Sequence, residues 1–193
     1  MKRKFMIKNK IIKAFIICFI IGFILSILFY LSLDKTEINS LVESVRNSNI
    51  LFKTSNNIIN HLKILSVIIL LNFVFIGVPL YIGLLISESF KIFLRLIILN
   101  KLYKFRGIIY GIIYTVINNG IYIILLLFIF KKLLKIFKIL YKNKFKKENI
   151  NYSVLYSHFI NVITLVIIIF ISDTVIYLYA NKLLKIFIKL CKI

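Results

Sequence analysis

The chain has 193 residues, of which 61% are hydrophobic, and its mean hydropathy is +0.99. Soluble domains carry roughly 45–50% apolar residues, so this composition excludes an ordinary soluble fold. A helix satisfies its own backbone hydrogen bonds inside lipid, and the composition therefore predicts an all-α integral membrane protein, a polytopic helical bundle. The length suits one membrane domain, residues 1–193, and leaves no room for a separate catalytic domain.

The net charge of +21 could indicate a nucleic-acid-binding protein, but the positions of the basic residues argue against it. Six basic residues precede or enter the first apolar run, and eight lysines lie between Lys131 and Lys147. Basic residues beside apolar runs are typical of the positive-inside rule and of contact with anionic headgroups. We therefore expect the lipid bilayer as a partner, and no nucleic acid.

The first predicted span covers residues 12–33. A basic region precedes it, and the apolar run is longer than a cleaved signal sequence needs, which indicates an uncleaved anchor with a cytoplasmic N-terminus. Residues 34–61 follow as a polar segment that holds three of the six acidic residues, Asp34, Glu37 and Glu43. Its nearly balanced charge predicts an external loop.

Residues 62–79 and 80–100 are the second and third predicted spans. The division lies at Pro79, whose ring removes a helical hydrogen bond, and Gly77 beside it marks a break or a point of close packing. Spans four and five follow at 107–130 and 152–180. This division gives about five spans and leaves the basic loop 131–149 in the cytoplasm, as the positive-inside rule requires.

An alternative topology has fewer full spans. It keeps 64–86 as one span and lays residues 87–106 along the cytoplasmic interface as an amphipathic helix. Residues 107–130 then form a re-entrant helical hairpin that bends at Asn118-Asn119-Gly120.

Familiar catalytic and metal-binding motifs are absent from the sequence, so we expect no catalytic residue, no cofactor and no metal site. Ionisable residues at membrane depth are nevertheless functional candidates. Glu88 and Lys91 have the i,i+3 spacing of an ion pair, and Arg95 follows one turn later. We expect Asp173 to lie against one of these cations. A proton or ion relay is the alternative role, and Asn119 offers an interhelical hydrogen bond beside Gly120.

The order of these features resembles the stage II sporulation protein M family of endospore-forming bacteria. The resemblance covers about residues 5–180. It lies in Asn60-His61-Leu62-Lys63 at the start of the second span, Gly77-Val78-Pro79 at its end, and Asn119 within the later run VINNGIYIILLLFIF. One departure is the stretch Ser87-Glu88-Ser89, where the family often has glycines.

The resemblance implies a scaffold without enzymatic activity in the cell membrane, at the septal or engulfing membrane during sporulation. Its partners would be membrane-anchored peptidoglycan hydrolases that act during forespore engulfment. The alternative is a membrane subunit of a transporter or exporter in which Glu88, Arg95 and Asp173 line a path. Because about five spans are few for a self-sufficient secondary transporter, that alternative requires oligomerisation or an ATPase partner.

Overall fold

The computed structural model describes the backbone of residues 2–47, 55–147, 149 and 151–191, and side chains within 11–43, 58–147, 149 and 151–179. Residues 48–54 of the predicted external loop lie outside this described part. No strand occurs in it, and the elements are α1 (Lys2–Ser32), α2 (Lys35–Asn47), α3 (Ser55–Leu71), a 3₁₀ turn (Asn72–Val74), α4 (Gly77–Lys146) and α5 (Tyr152–Cys191).

Three helices in the described residues are long and apolar enough to cross a membrane. The segments are Ile11–Ser32, Gly77–Lys146 and Tyr152–Tyr179, and a shorter apolar helical segment covers Ile58–Val74. Many large apolar side chains on these helices are exposed, as in a protein that faces lipid. The described structure is therefore that of a helical membrane-embedded protein, as the composition predicts.

Helix α4 is a hairpin of two antiparallel arms, residues 77–103 and 105–146. Lys104, with φ 53° and ψ −139°, breaks the helical backbone between them. Tyr81 on the first arm donates a hydrogen bond of 2.7 Å to the carbonyl oxygen of Leu126 on the second. Nearer the turn, Gly107 packs so closely on the Leu99 carbonyl that a side chain there would clash. The reversal lies between the predicted spans 80–100 and 107–130.

The alternative bend at Asn118-Asn119-Gly120 is wrong, because the second arm is helical through these residues. Asn118 donates its side-chain amide to the carbonyl oxygen of Tyr114, four residues earlier. That bond lies within a continuous helix, so the asparagines do not break it.

A tight reversal joins α3 to the first arm of α4. The 3₁₀ turn ends at Phe75, which has left-handed backbone angles, and α4 begins two residues later at Gly77. A Cβ atom on Gly77 would lie 2.5 Å from the backbone nitrogen of Asn72. Pro79 lies in the first turn of α4, where a helix has no need of its missing N–H. The break therefore precedes Pro79 by several residues.

Two segments predicted as loops are largely helical. Helix α2 occupies much of the predicted external loop 34–61, and Ile38, Leu41 and Val42 form its partly buried face. The predicted cytoplasmic loop 131–149 continues the second arm of α4 as far as Lys146.

Side-chain donors to backbone carbonyls tie the helices together. Ser89 on the first arm donates to the carbonyl oxygen of Phe19 on α1 at 2.8 Å, beside Gly22, which leaves room for this approach. The fully buried core side chains come from α3, both arms of α4 and α5 and include Leu65, Tyr81, Leu126, Val162 and Ile169.

We expect Gly77→Ala to destabilise the protein because the new methyl group would meet the backbone of Asn72 and Ile68. Overpacking of this kind costs about 1–3 kcal/mol. The measurement is the Tm of the purified protein in detergent.

Gly120→Ala is the matched control, because no atom lies within 4 Å of the Cβ position there. Its Tm should stay unchanged or rise, since alanine favours a helix. Equal losses in the two variants would contradict close packing at Gly77.

Candidate functional site

Glu88 and Lys91 form an ion pair on the first arm of α4. Lys91 Nζ donates to Glu88 Oε1 at 2.9 Å, with the i,i+3 spacing seen in the sequence. The Glu88 side chain is 12% exposed and that of Lys91 is 57% exposed. The Glu88 carboxylate is thus mostly buried, whereas the Lys91 side chain lies at the protein surface.

Arg95 lies one turn beyond Lys91, and its guanidinium group lies over an aromatic ring of the opposite arm. Its guanidinium carbon is 4.6 Å from the centroid of the Tyr114 ring. Within the described chain Arg95 makes no ion pair and donates no hydrogen bond to another residue. An aromatic ring attracts the cation but offers no oxygen acceptor, so this contact does not use the N–H donors of the guanidinium.

These three side chains line a cavity of about 230 Å³ between α3 and the two arms of α4, which we call the polar cavity. Its other lining residues are His61, Ile92, Tyr114, Asn118 and Asn119. Seven of the eight side chains carry polar groups, which is unusual for a pocket between apolar helices. Four residues singled out from the sequence, Glu88, Lys91, Arg95 and Asn119, are therefore neighbours.

Asp173 on α5 lies behind this cavity and is fully buried. Its Oδ2 atom is 3.2 Å from Nδ1 of His61 on α3, and the His61 ring stacks on Tyr122 with centroids 4.5 Å apart. We expected Asp173 to lie against a cation of residues 80–100, whereas the contact found here joins α5 to α3. In the sequence, His61 stands out only as part of the motif Asn60-His61-Leu62-Lys63 at the start of the second predicted span.

The remaining candidates, Gly77, Pro79 and Gly120, do not line the polar cavity. Gly77 lies 11 residues before Glu88, or about 17 Å along the helix axis, and it acts in the reversal after α3. Gly120 follows Asn119 directly, with open space around it.

A second depression, which we call the lateral groove, has a volume of about 440 Å³ and lies between α3 and the first arm. Its apolar wall consists of Ile64, Val67, Ile68, Leu80 and Leu84. Gly83 and Ser87 lie in it one helical turn apart, and Lys63, Glu88 and Lys91 lie towards one end. The Glu88–Lys91 pair therefore separates the apolar groove from the polar cavity, because it lines both.

Among the described residues no group of three or more His, Cys, Asp or Glu side chains could hold a metal ion. The chain matches no protein-family model, and no curated protein or solved structure is significantly similar to it. The resemblance to the stage II sporulation protein M family stays a prediction from the motifs quoted above.

We expect His61 and Asp173 to be energetically coupled, because removal of the imidazole leaves a buried carboxylate without this contact. In a double-mutant cycle, His61→Ala and Asp173→Ala together should cost less than the sum of the single variants. The difference should be about 0.5–3 kcal/mol, measured as unfolding free energies in detergent.

Thr174→Ala provides the control, because Thr174 is adjacent to Asp173 and bonds only within its own helix, to the Phe170 carbonyl. Combined with His61→Ala, its effect should be additive within about 0.5 kcal/mol. Additivity for Asp173→Ala as well would contradict the contact.

Proposed function

We propose that the protein crosses the cell membrane five times, with a cytoplasmic N-terminus. The two arms of α4 are antiparallel, and the apolar stretch 107–130 alone is about 36 Å long. The apolar helical segment Ile58–Val74 reaches about 27 Å, which is close to the hydrocarbon core of about 30 Å. In this topology lysines 131–147 lie in the cytoplasm and Lys104 lies outside.

The topology is tested by single cysteines in a background without Cys18 and Cys191. Cysteines replacing Ser40 and Lys104 should react with an impermeant maleimide in intact cells, and one replacing Lys146 should react only after lysis. If the Lys104 position is protected together with Lys146, residues 80–100 do not cross and the five-span topology is wrong.

We further propose that the protein is a non-enzymatic membrane scaffold that binds membrane-anchored partner proteins. The observation that supports this best is the lateral groove, which extends about 17 Å along the first arm between Leu80 and Lys91 and has an apolar wall in its Leu80–Leu84 part. Gly83 has no side chain and that of Ser87 is small, so a second helix can approach the backbone of the first arm closely here. Membrane helices commonly pack at such small-xxx-small positions. The fitting occupant is a partner's single transmembrane helix.

Charge at one end of the groove defines this partner further. Lys63 and Lys91 outnumber Glu88 there, so the groove end is net positive. A partner helix with a carboxylate near its outer end would complement it. By the family resemblance, the partners would be the anchored peptidoglycan hydrolases of forespore engulfment, and the site of action the septal or engulfing membrane.

Gly83→Leu would fill the groove, and we expect it to lower co-purification of a peptidoglycan hydrolase from sporulating host cells at least about tenfold, equivalent to about 1.4 kcal/mol. Gly120→Leu is the control, because Gly120 is similarly open but lies outside the groove. Retention of the hydrolase by the Gly83→Leu protein, at equal membrane levels, would refute groove docking.

The polar cavity favours a second candidate, the membrane subunit of an exporter. Glu88 and Arg95 line the cavity, which in the five-span topology lies at membrane depth. Asp173 contacts His61, which also lines the cavity. Charged residues that face an interior cavity mark ion and substrate paths in many membrane proteins. Co-purification with an ATPase, unaffected by Gly83→Leu, would favour this candidate over the scaffold.

A further inference from the structure

The cations of the polar cavity are not balanced by the carboxylates that line it. Lys91 is paired with Glu88, and Asp173 contacts His61, whereas Arg95 has only the Tyr114 ring beside it. An aromatic face attracts a cation but does not accept the in-plane N–H hydrogen bonds of a guanidinium. Arg95 thus brings an uncompensated positive charge and a set of donors to the cavity.

The position of Arg95 makes this imbalance costly in a membrane. It lies nine residues before the turn at Lys104, about 13 Å along the arm, which in the five-span topology is within the hydrocarbon region. A cation at that depth is normally paired or solvated in a cavity. Lys101, six residues further on, is exposed near the turn and has no such constraint.

We propose that the polar cavity binds a small oxyanion, a carboxylate or a phosphate group, with Arg95 as its principal ligand. The fork of the guanidinium matches two oxygens of either group. Asn119 lines the same cavity with a neutral amide that can donate to an oxyanion. Lys91, whose charge Glu88 offsets, lies at the wall shared with the lateral groove.

Glu88 limits what the cavity accepts. Its carboxylate lines the same cavity and offsets the charge of Lys91, so the net positive charge that remains favours one oxyanion group over a polyanion. The volume of about 230 Å³ suits a small molecule or one headgroup. The oxyanion has two possible sources, a soluble anion that enters the cavity or the phosphate of an anionic lipid.

The test uses the full-length protein in nanodiscs of phosphatidylcholine, titrated calorimetrically with inorganic phosphate and with acetate at millimolar concentrations. Arg95→Gln should weaken binding at least about tenfold, since a charge-assisted hydrogen bond is lost. Lys101→Gln removes the same charge from the same arm outside the cavity and should change binding less than about twofold, because exposed charges are screened.

A second variant, Asn119→Asp, keeps Arg95 and its ring contact in place while adding a negative charge to the cavity. We expect it also to weaken anion binding at least about tenfold, because like charges repel strongly in a partly buried site. The Tm of the Asn119→Asp protein without anion should equal that of the Lys101→Gln protein. Weaker anion binding by a variant of unchanged Tm then reflects loss of the site and not misfolding.

The lipid source is tested by native mass spectrometry after mixing with equal amounts of phosphatidylglycerol and phosphatidylcholine. Retention of phosphatidylglycerol that Arg95→Gln abolishes and Lys101→Gln preserves identifies a headgroup, and soluble-anion binding with the same dependence identifies a small molecule. If neither depends on Arg95, the proposal is wrong. This outcome does not bear on the scaffold proposal, which is tested by hydrolase binding to the groove.

Discussion

Association of apolar helices in lipid gains nothing from the hydrophobic effect, so close packing and polar contacts must hold such a bundle together. The described helices use both. Tyr81, Ser89 and Asn72 each donate from one helix to a carbonyl oxygen of another, and Gly22 and Gly107 allow the close approaches on which such contacts depend. The reversals at Phe75 and Lys104 fold the chain back so that these donors meet their acceptors.

The same constraint explains the grouping of ionisable residues. A charge in hydrocarbon is expensive, and it becomes tolerable beside a partner or a water-accessible cavity. Glu88 has Lys91, Asp173 has His61, and Arg95 has the face of Tyr114. Residues of α3, both arms of α4 and α5 therefore meet in one polar region, whereas most other buried side chains of the described residues are apolar. This contrast makes the region the strongest candidate for function.

The sequence predicts this structure best where the signal is local. Apolar run lengths predict the long helices, and the i,i+3 spacing predicts the Glu88–Lys91 pair. The spacing of Ile38, Leu41 and Val42 could have predicted α2, but its polar composition favoured a loop. The bend proposed at Asn118–Gly120 failed because an asparagine can bond within its own helix. The His61–Asp173 contact joins residues 112 positions apart, and no local pattern encodes such a separation.

The Glu88–Lys91 pair also has a thermodynamic consequence, since its two side chains form the wall between the polar cavity and the lateral groove. Lys91 can pair with a carboxylate on the groove side or with an oxyanion on the cavity side. Each ion pair alters the electrostatic potential at the other site. Thermodynamic linkage is reciprocal: if one occupant changes the binding free energy of the second, the second changes the binding free energy of the first by the same amount. The proposed occupants of the polar cavity and of the lateral groove would therefore be coupled through Lys91, which lines both.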